Sequence, residues 1–441
     1  MPEDSRSRLK EWLASGAARL EPLSFPQREM WEASAVPPQD ASNHICVYME
    51  IEGEVSVEEC RAAIQLLVDR HEAMRLSIIP GKNGPLQLIR KTAPPAMEFS
   101  DLAPGESLED RMRVIFEMPF DLLRGPLYRI HVLRRGPEDR VLVMPIHHAI
   151  GDGWTIGVFV EDLAEAYLHV ALNMPGSLDP VPLSYSAWAA SERAAWPASR
   201  LEESARYWKA KLAGAPRLWE PMEFPDRRLE RVISTVPSPV TAEVRDLARR
   251  CNATLFTTLL RGFRLAMAEW TGQRDLVVGT PVANRTKQAV RETMGYCSGI
   301  VPIREKIDPG APLEESIRST HQVAMDAFAH AMPFAELARA LDERPAPDHN
   351  PIFDVRFALQ NHPMPDTVAP GFGVKFHMRS TGTARFELGC ELTETGDELE
   401  LVWLYRAKRF TRASIDELER LFLAALTSGT ASPLPHEYDP A

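Results

Sequence analysis

Apolar positions change period along the chain, from helical spacing to short continuous runs and back, which predicts a mixed α and β protein. Val57, Cys60, Ile64, Leu67 and Val68 recur at helical spacing behind Ser56 and Glu59, which read together as a capping box. Residues 75–79 and 86–90, joined by the turn PGKNG at 80–84, read as a strand pair. A second hairpin is expected from 128–133 to 141–146 through the turn RRGPED at 134–139. It runs directly into HHAIGDG at 147–153, and an amphipathic helix follows over roughly 154–172.

Between 175 and 185 the chain turns rich in Pro, Ser, Gly and Asp, which marks a boundary between an N-terminal lobe, 1–180, and a C-terminal lobe, 181–441. Two lobes are also what 441 residues call for, since one hydrophobic core seldom organises so many. In the second lobe, helices are expected at 241–251 and 254–270, then a strand ending in VVGTPVANR at 277–285. Helices near 312–342, strands near 352–360, 373–379, 385–394 and 398–406, and a closing helix over 411–427 complete it. Met267, Trp270 and Phe422 read as core stripes. Segments 141–172 and 398–427 both run strand, loop, amphipathic helix. The first loop holds HHAIGDG and the second only YRAKR at 405–409, the pattern of a duplicated lobe with one chemically equipped copy.

Composition narrows the class. Apolar content of 44% and charged content of 25% suit a globular protein, and no apolar run reaches the ~18 residues of a membrane span. The N-terminus mixes both charge signs and lacks an apolar h-region, so a secretory signal is not expected. Five scattered cysteines, Cys46, Cys60, Cys251, Cys297 and Cys390, form no CxxC pair, which points to a reducing cytoplasm and away from a thiolate metal site. A net charge of −12 argues against nucleic acid as a partner.

The chemistry centres on HHAIGDG. Successive side chains on extended backbone point to opposite sides, so His147 and His148 cannot both face one cavity. One should reach solvent or substrate while its neighbour packs. An imidazole moves protons near neutral pH. Asp152 is placed to pair with an arginine, and Gly153 to let backbone approach closely or to take a positive φ. Three readings stand together at this point. One is a structural pair with Asp152 capping the following helix, one a metal site on His147, His148 and Asp152, and one acid–base catalysis. Against the metal, adjacent histidines diverge and no HxxxH or HExxH completes a ligand set.

HHAIGDG resembles the HHxxxDG signature of nonribosomal peptide synthetase condensation domains and the wider chloramphenicol acetyltransferase-like superfamily. The resemblance extends in order through LSFPQREMW at 23–31, RHEAMR at 70–75, PFDLLRGPLYR at 119–129, GTPVANR at 279–285, HAMPF at 330–334 and PIFDVRFALQN at 351–361. It implies two acetyltransferase-like lobes in a V-shaped pseudo-dimer, with a central tunnel and His148 at its middle. The implied reaction transfers an acyl group from the phosphopantetheine thioester of an acyl or peptidyl carrier protein to an amine or hydroxyl. The product is an amide or ester of nonribosomal peptide or polyketide biosynthesis. His148 is the implied catalytic residue, either as general base or by positioning the nucleophile and stabilising the tetrahedral intermediate. Asp152 is implied to pair with an arginine that ties the lobes together; Arg285, whose planar fork suits a bidentate pair, is preferred, and Arg75 is the alternative. Trp154 is expected to pack at the helix start. No metal and no tightly held cofactor are implied, and a monomer is expected.

Some positions depart from the family pattern. YSAW at 185–188 lacks the usual acidic residue, Gly299 and Ile300 stand where amide-forming members commonly carry Asn-Thr, and Ala335 stands where Glu is common. Carrier proteins are commonly acidic, so docking on a chain of net charge −12 requires a local basic or apolar patch. Elements of the epimerisation, heterocyclisation and plant acyltransferase branches are absent from the sequence. An initiator Met and compact length suggest a free-standing enzyme or an excised domain, and a non-catalytic docking module of the same fold is the alternative function.

Overall fold

The computed structural model describes residues 3–33, 41, 43–53, 55–103, 105–220, 229–344, 349–360, 373–379 and 386–427. Asn361, counted above in a motif, and residue 385, counted in a strand, lie outside the described residues. The chain is mixed α and β and divides into two compact units. Unit 1 comprises Met1–Pro197, Ala283–Ser298 and His362–Thr381; unit 2 comprises Ala198–Val282, Gly299–Asn361 and Gly382–Ala441.

Chain order begins with α1 (Glu3–Ala14), β1 (Ala18–Pro22), α2 (Phe25–Ala33), β2 (His44–Glu52), α3 (Val57–Arg70), β3 (Leu76–Ile79), β4 (Leu86–Arg90) and β5 (Met97–Asp101). Next come α4 (Leu108–Glu117), β6 (Ile130–Arg134), β7 (Asp139–His147), α5 (Gly153–Ala171), α6 (Tyr185–Ala194) and α7 (Ala198–Leu212). The middle continues with β8 (Glu230–Val236), α8 (Ser238–Arg250), α9 (Leu255–Thr271), β9 (Asp275–Val282), β10 (Gly299–Lys306), α10 (Leu313–Ala329) and α11 (Phe334–Ala340). The last elements are β11 (Val355–Gln360), β12 (Gly373–Arg379), β13 (Leu388–Thr395), β14 (Glu398–Tyr405) and α12 (Arg412–Thr427).

In unit 1, β12-β2-β7-β6-β5 form one sheet and β1-β4-β3 a smaller one. The central strand β7 pairs antiparallel with β2 and with β6. It is apolar on both faces because both are covered. Leu142, Met144 and Ile146 join Ile64, Leu67 and Val68 of α3 and Ile156, Phe159 and Val160 of α5 in one core. Val141 and Val143, on the opposite face, pack against Met112, Ile115 and Phe116 of α4. Alternate residues of one strand thus serve two cores, which is why the run reads as continuous hydrophobicity in place of alternation. The Ser56 hydroxyl accepts the Glu59 N–H at the start of α3, stopping its open N-terminal turn from fraying.

In unit 2, the sheet order is β10-β9-β11-β13-β14-β8. Met267 and Phe422 are buried in its core; Trp270 is half-buried and packs its ring against Trp219 and Phe410. Each unit carries a strand–loop–helix whose helix lies against an earlier one, α5 on α3 in unit 1 and α12 on α9 in unit 2.

Candidate active site

β7 ends at His147, and a single 3-10 turn, His148–Ile150, delivers the chain to Gly151, Asp152 and the start of α5. The two histidines diverge as extended backbone requires. His147 is buried, and its Nδ1 accepts the Ala149 N–H at 3.1 Å, capping the turn. Its Nε2 has no hydrogen-bond partner among the described residues, and its ring meets His44 and Phe120 edge to face. Burial first, then His44 and His148 beside it, push its pKa well below the ordinary histidine range, so His147 is held neutral.

His148 is only half-buried, with its ring tilted against Tyr296 at 5.0 Å between centroids. Its Nδ1 lies 3.0 Å from the Gly151 carbonyl oxygen. A carbonyl only accepts, so Nδ1 carries the hydrogen, and in the neutral ring Nε2 holds the lone pair. The backbone of the turn is pinned as well, with His148 N–H donating to Asn43 O at 2.7 Å.

Asp152 is the hub of the loop, and it both caps a helix and pairs with an arginine. As N-cap of α5, its Oδ1 accepts the Thr155 N–H and hydroxyl, each at 3.0 Å, while Thr155 Oγ1 accepts the Asp152 N–H. Oδ1 also accepts from Arg285 Nη2 at 3.1 Å, and Oδ2 accepts the Cys297 and Ser298 N–H groups, both at 3.0 Å. Arg285 is buried and makes one bond to the carboxylate, not the bidentate fork expected of it. Its Nη1 donates to the carbonyls of Val290 and Thr293, and Nη2 donates to that of Gly295 as well. The pairing is made within unit 1, because Ala283–Ser298 packs there, so Arg285 does not tie one unit to the other through Asp152.

Arg75 takes no part in this site. It is buried, and donates to the carbonyls of Val68, Asp69, Arg90 and Lys91, stapling the end of α3 to the end of β4. The short 3-10 turn Glu72–Arg75 aims it there. Gly153 does not take a positive φ either, since it is the first residue of α5, where the ordinary helical region serves. The glycine that close approach demands is Gly295, at φ +156°, where an added Cβ would fall 2.0 Å from Tyr185 Cδ2. Trp154 packs at the helix start, its indole N–H donating to Arg291 O at 2.8 Å.

Several contributors carry no signal in local sequence. Ser24, Gln27 and Tyr185 converge on the loop from distant segments. Gln27 Nε2 donates to Ala149 O at 2.8 Å, and the Tyr185 hydroxyl donates to Tyr296 O at 3.0 Å while Ser24 Oγ lies 2.9 Å from it. Their only trace is membership of LSFPQREMW and YSAW. In unit 2 the corresponding loop after β14 has a structural purpose. Arg406 is buried and pairs with Glu387, which also takes Arg409 Nε at 2.8 Å.

Among the described residues no group of three or more His, Cys, Asp and Glu side chains is arranged to hold a metal ion, and no helix is long and apolar enough to cross a membrane. A half-buried imidazole with one nitrogen fixed as donor, beside a neutral imidazole and a rigid carboxylate hub, is suited to moving one proton.

Known proteins resemble this chain over nearly its whole length. The chain is 30% identical over 429 residues to phosphinothricin tripeptide synthetase PhsC of Streptomyces viridochromogenes, covering 92% of this chain and 39% of that protein. It is 26% identical over 430 residues to malpinin synthetase of Mortierella alpina, covering 94% of this chain and 6% of that one. It therefore spans well under half the length of these curated relatives. Among solved structures, the X-domain from teicoplanin biosynthesis has a similar fold, with a TM-score of 0.81 at 19% identity, covering 92% of this chain and 94% of that one. The first condensation domain of the calcium-dependent antibiotic synthetase matches with a TM-score of 0.78 at 20% identity, covering 95% and 97%. The condensation domain family model matches residues 18–437, nearly the whole chain, and this protein belongs to the condensation domain family of nonribosomal peptide synthetases.

Proposed function

We propose that the chain joins a carrier-bound acyl group to an amine, forming an amide in peptide biosynthesis, with His148 as the catalytic residue. The donor is a thioester on the phosphopantetheine arm of an acyl or peptidyl carrier protein. The amine nitrogen attacks the thioester carbonyl carbon, and the tetrahedral intermediate carries a cationic nitrogen and an oxyanion. His148 Nε2 takes a proton from that nitrogen; the C–S bond then breaks, and the departing thiolate is protonated. A hydroxyl acceptor would follow the same course to an ester, but its proton must leave as it attacks, which places more demand on the base. The observation that carries this reading is the Nδ1–H···O contact from His148 to Gly151 at 3.0 Å, which in the neutral ring puts the basic lone pair on Nε2.

Arg285, Asp152 and Thr155 act on the loop, not on substrate: they bind one another and hold the start of α5 where the turn needs it. The chain itself needs no resident cofactor for this chemistry, and the cytoplasm is where carrier-dependent synthesis would place it.

A second reading, a docking module without chemistry, is favoured by one likeness: the teicoplanin X-domain was solved in complex with OxyB, and its fold matches with a TM-score of 0.80. The test separates the two. An acyl-loaded carrier is incubated with the chain and candidate amines or alcohols, and intact mass is followed. Loss of the acyl mass from the carrier, with the acylated acceptor appearing only when the chain is present, supports condensation. Stable carrier binding with no transfer to any acceptor supports docking.

A further inference from the structure

We infer that Gln27 is a positioning residue for His148, acting through the turn that carries it; this rests on the acyl-transfer reading above. The turn His148–Ile150 is too short to hold its own shape. Its internal bond, Gly151 N–H to His148 O, is long at 3.3 Å. Its geometry is therefore set from outside. The peptide groups of Ala149, the residue after the catalytic imidazole, are both held by side chains. His147 Nδ1 takes the N–H at 3.1 Å, and Gln27 Nε2 gives a hydrogen to the carbonyl at 2.8 Å.

Gln27 is itself immobilised. It is fully buried, its Oε1 accepts the Ser24 N–H at 3.2 Å, and its own N–H donates to Ser24 Oγ at 3.2 Å. These two bonds form the capping box of α2. One side chain thus closes a helix N-terminus with its oxygen and clamps the catalytic turn with its nitrogen.

The same box reaches the other side of the imidazole. The Tyr185 hydroxyl gives its hydrogen to Tyr296 O, so Ser24 Oγ donates to Tyr185 Oη. Tyr296 is the ring that lies against His148. Ser24 and Gln27 therefore set both the turn beneath His148 and the backbone of the ring beside it. Losing the Gln27 N–H leaves a buried carbonyl unsatisfied and frees the peptide two residues before Gly151 O, the acceptor that orients the His148 ring.

The test uses Gln27→Met, which keeps the side-chain volume and removes both polar atoms, and Gln27→Glu, which keeps the oxygen for Ser24 N–H and, assayed at a pH where it is the carboxylate, lacks the donor. Both are assayed for acyl transfer and examined by ¹⁵N NMR for the hydrogen on His148 Nδ1. We expect kcat to fall ten- to a hundredfold with KM for the carrier within twofold, and the Nδ1–H fraction of His148 to drop. Thr241→Val in unit 2 loses a buried bond to Val236 O and controls for stability alone; its kcat should not change. Should Gln27→Met fail to fold, Gln27→Glu carries the test, since its capping oxygen remains. If the folded variant keeps full kcat and an unchanged tautomer while His148→Ala is inactive, the positioning role is wrong and acyl transfer stands. If His148→Ala is fully active, acyl transfer through His148 fails first.

Discussion

Replacing Asp152 with Asn removes one charge and exchanges one oxygen for an amide nitrogen, and the structure lets the cost be worked out. Oriented with its oxygen at the Oδ1 position, the amide keeps the Thr155 and Arg285 donors. Its NH2 then faces the N–H groups of Cys297 and Ser298, both 3.0 Å from Oδ2 in the native loop, donor against donor. Turning the amide over satisfies those two and loses the three donors at Oδ1 instead. Either way two or more bonds to a carboxylate are lost, at roughly 1.5 kcal/mol or more each. The Arg285 guanidinium is also left buried beside a neutral group, a situation that costs about 3–5 kcal/mol where one partner of a buried pair is removed. These overlap rather than add, and we expect a loss of about 3–5 kcal/mol in unit 1.

Hydrogen exchange followed by mass spectrometry reads this locally. Amides of α5 and of segment 288–298 should exchange roughly 10²- to 10³-fold faster in Asp152→Asn, while those of α9 in unit 2 keep their rates. An increase of less than about tenfold in α5, corresponding to roughly 1.4 kcal/mol, would show that the carboxylate is not the hub of the loop.

Further outcomes follow from groups outside the loop. Arg75→Met leaves four carbonyls, one buried and three part-buried, without their donor and should cost about 1–3 kcal/mol in urea unfolding, with kcat of the folded protein unchanged; a large fall in kcat would place Arg75 in the active site after all. Glu192 is half-buried beside Phe25, whose N–H donates to it at 3.2 Å, and desolvation there pushes its pKa from an ordinary 4.5 up to about 7. Because its folded pKa lies above the unfolded one, ionisation opposes folding. The penalty is absent below pH 4.5, grows between about 4.5 and 7, and is complete above 7. Glu192→Gln should therefore gain about 1–3 kcal/mol on the unmodified chain between pH 5 and pH 8.5; an equal stability gap at both pH values would refute the shift.

How far the sequence could be read divides along physical lines. Periodicity located β7, α5, α9 and α12 within a few residues, because their cores impose one spacing over many positions. HHAIGDG was legible because its polar residues interrupt a strand–helix junction that is otherwise apolar. Arg75 and Arg285 looked alike in sequence, and only the fold distinguishes them: one is aimed by the short turn after α3, the other by a segment from the second half of the chain that packs in unit 1. The positive φ and the missing Cβ both belong to Gly295, against the Tyr185 ring, and that packing leaves no mark near HHAIGDG. The two N–H groups on Asp152 Oδ2 belong to the backbone of Cys297 and Ser298, and no side-chain pattern announces them. Gln27 was visible only as a letter in a motif, its contact with Ala149 spanning 122 positions.

The single-turnover rate of His148→Ala, with an acyl-loaded carrier and a competent amine, bears most directly on the account. The variant must first unfold at the same temperature as the unmodified chain. A fall of roughly 10²- to 10⁴-fold, the usual contribution of a positioned proton-transfer group, is predicted. A rate within twofold of the unmodified chain would contradict it.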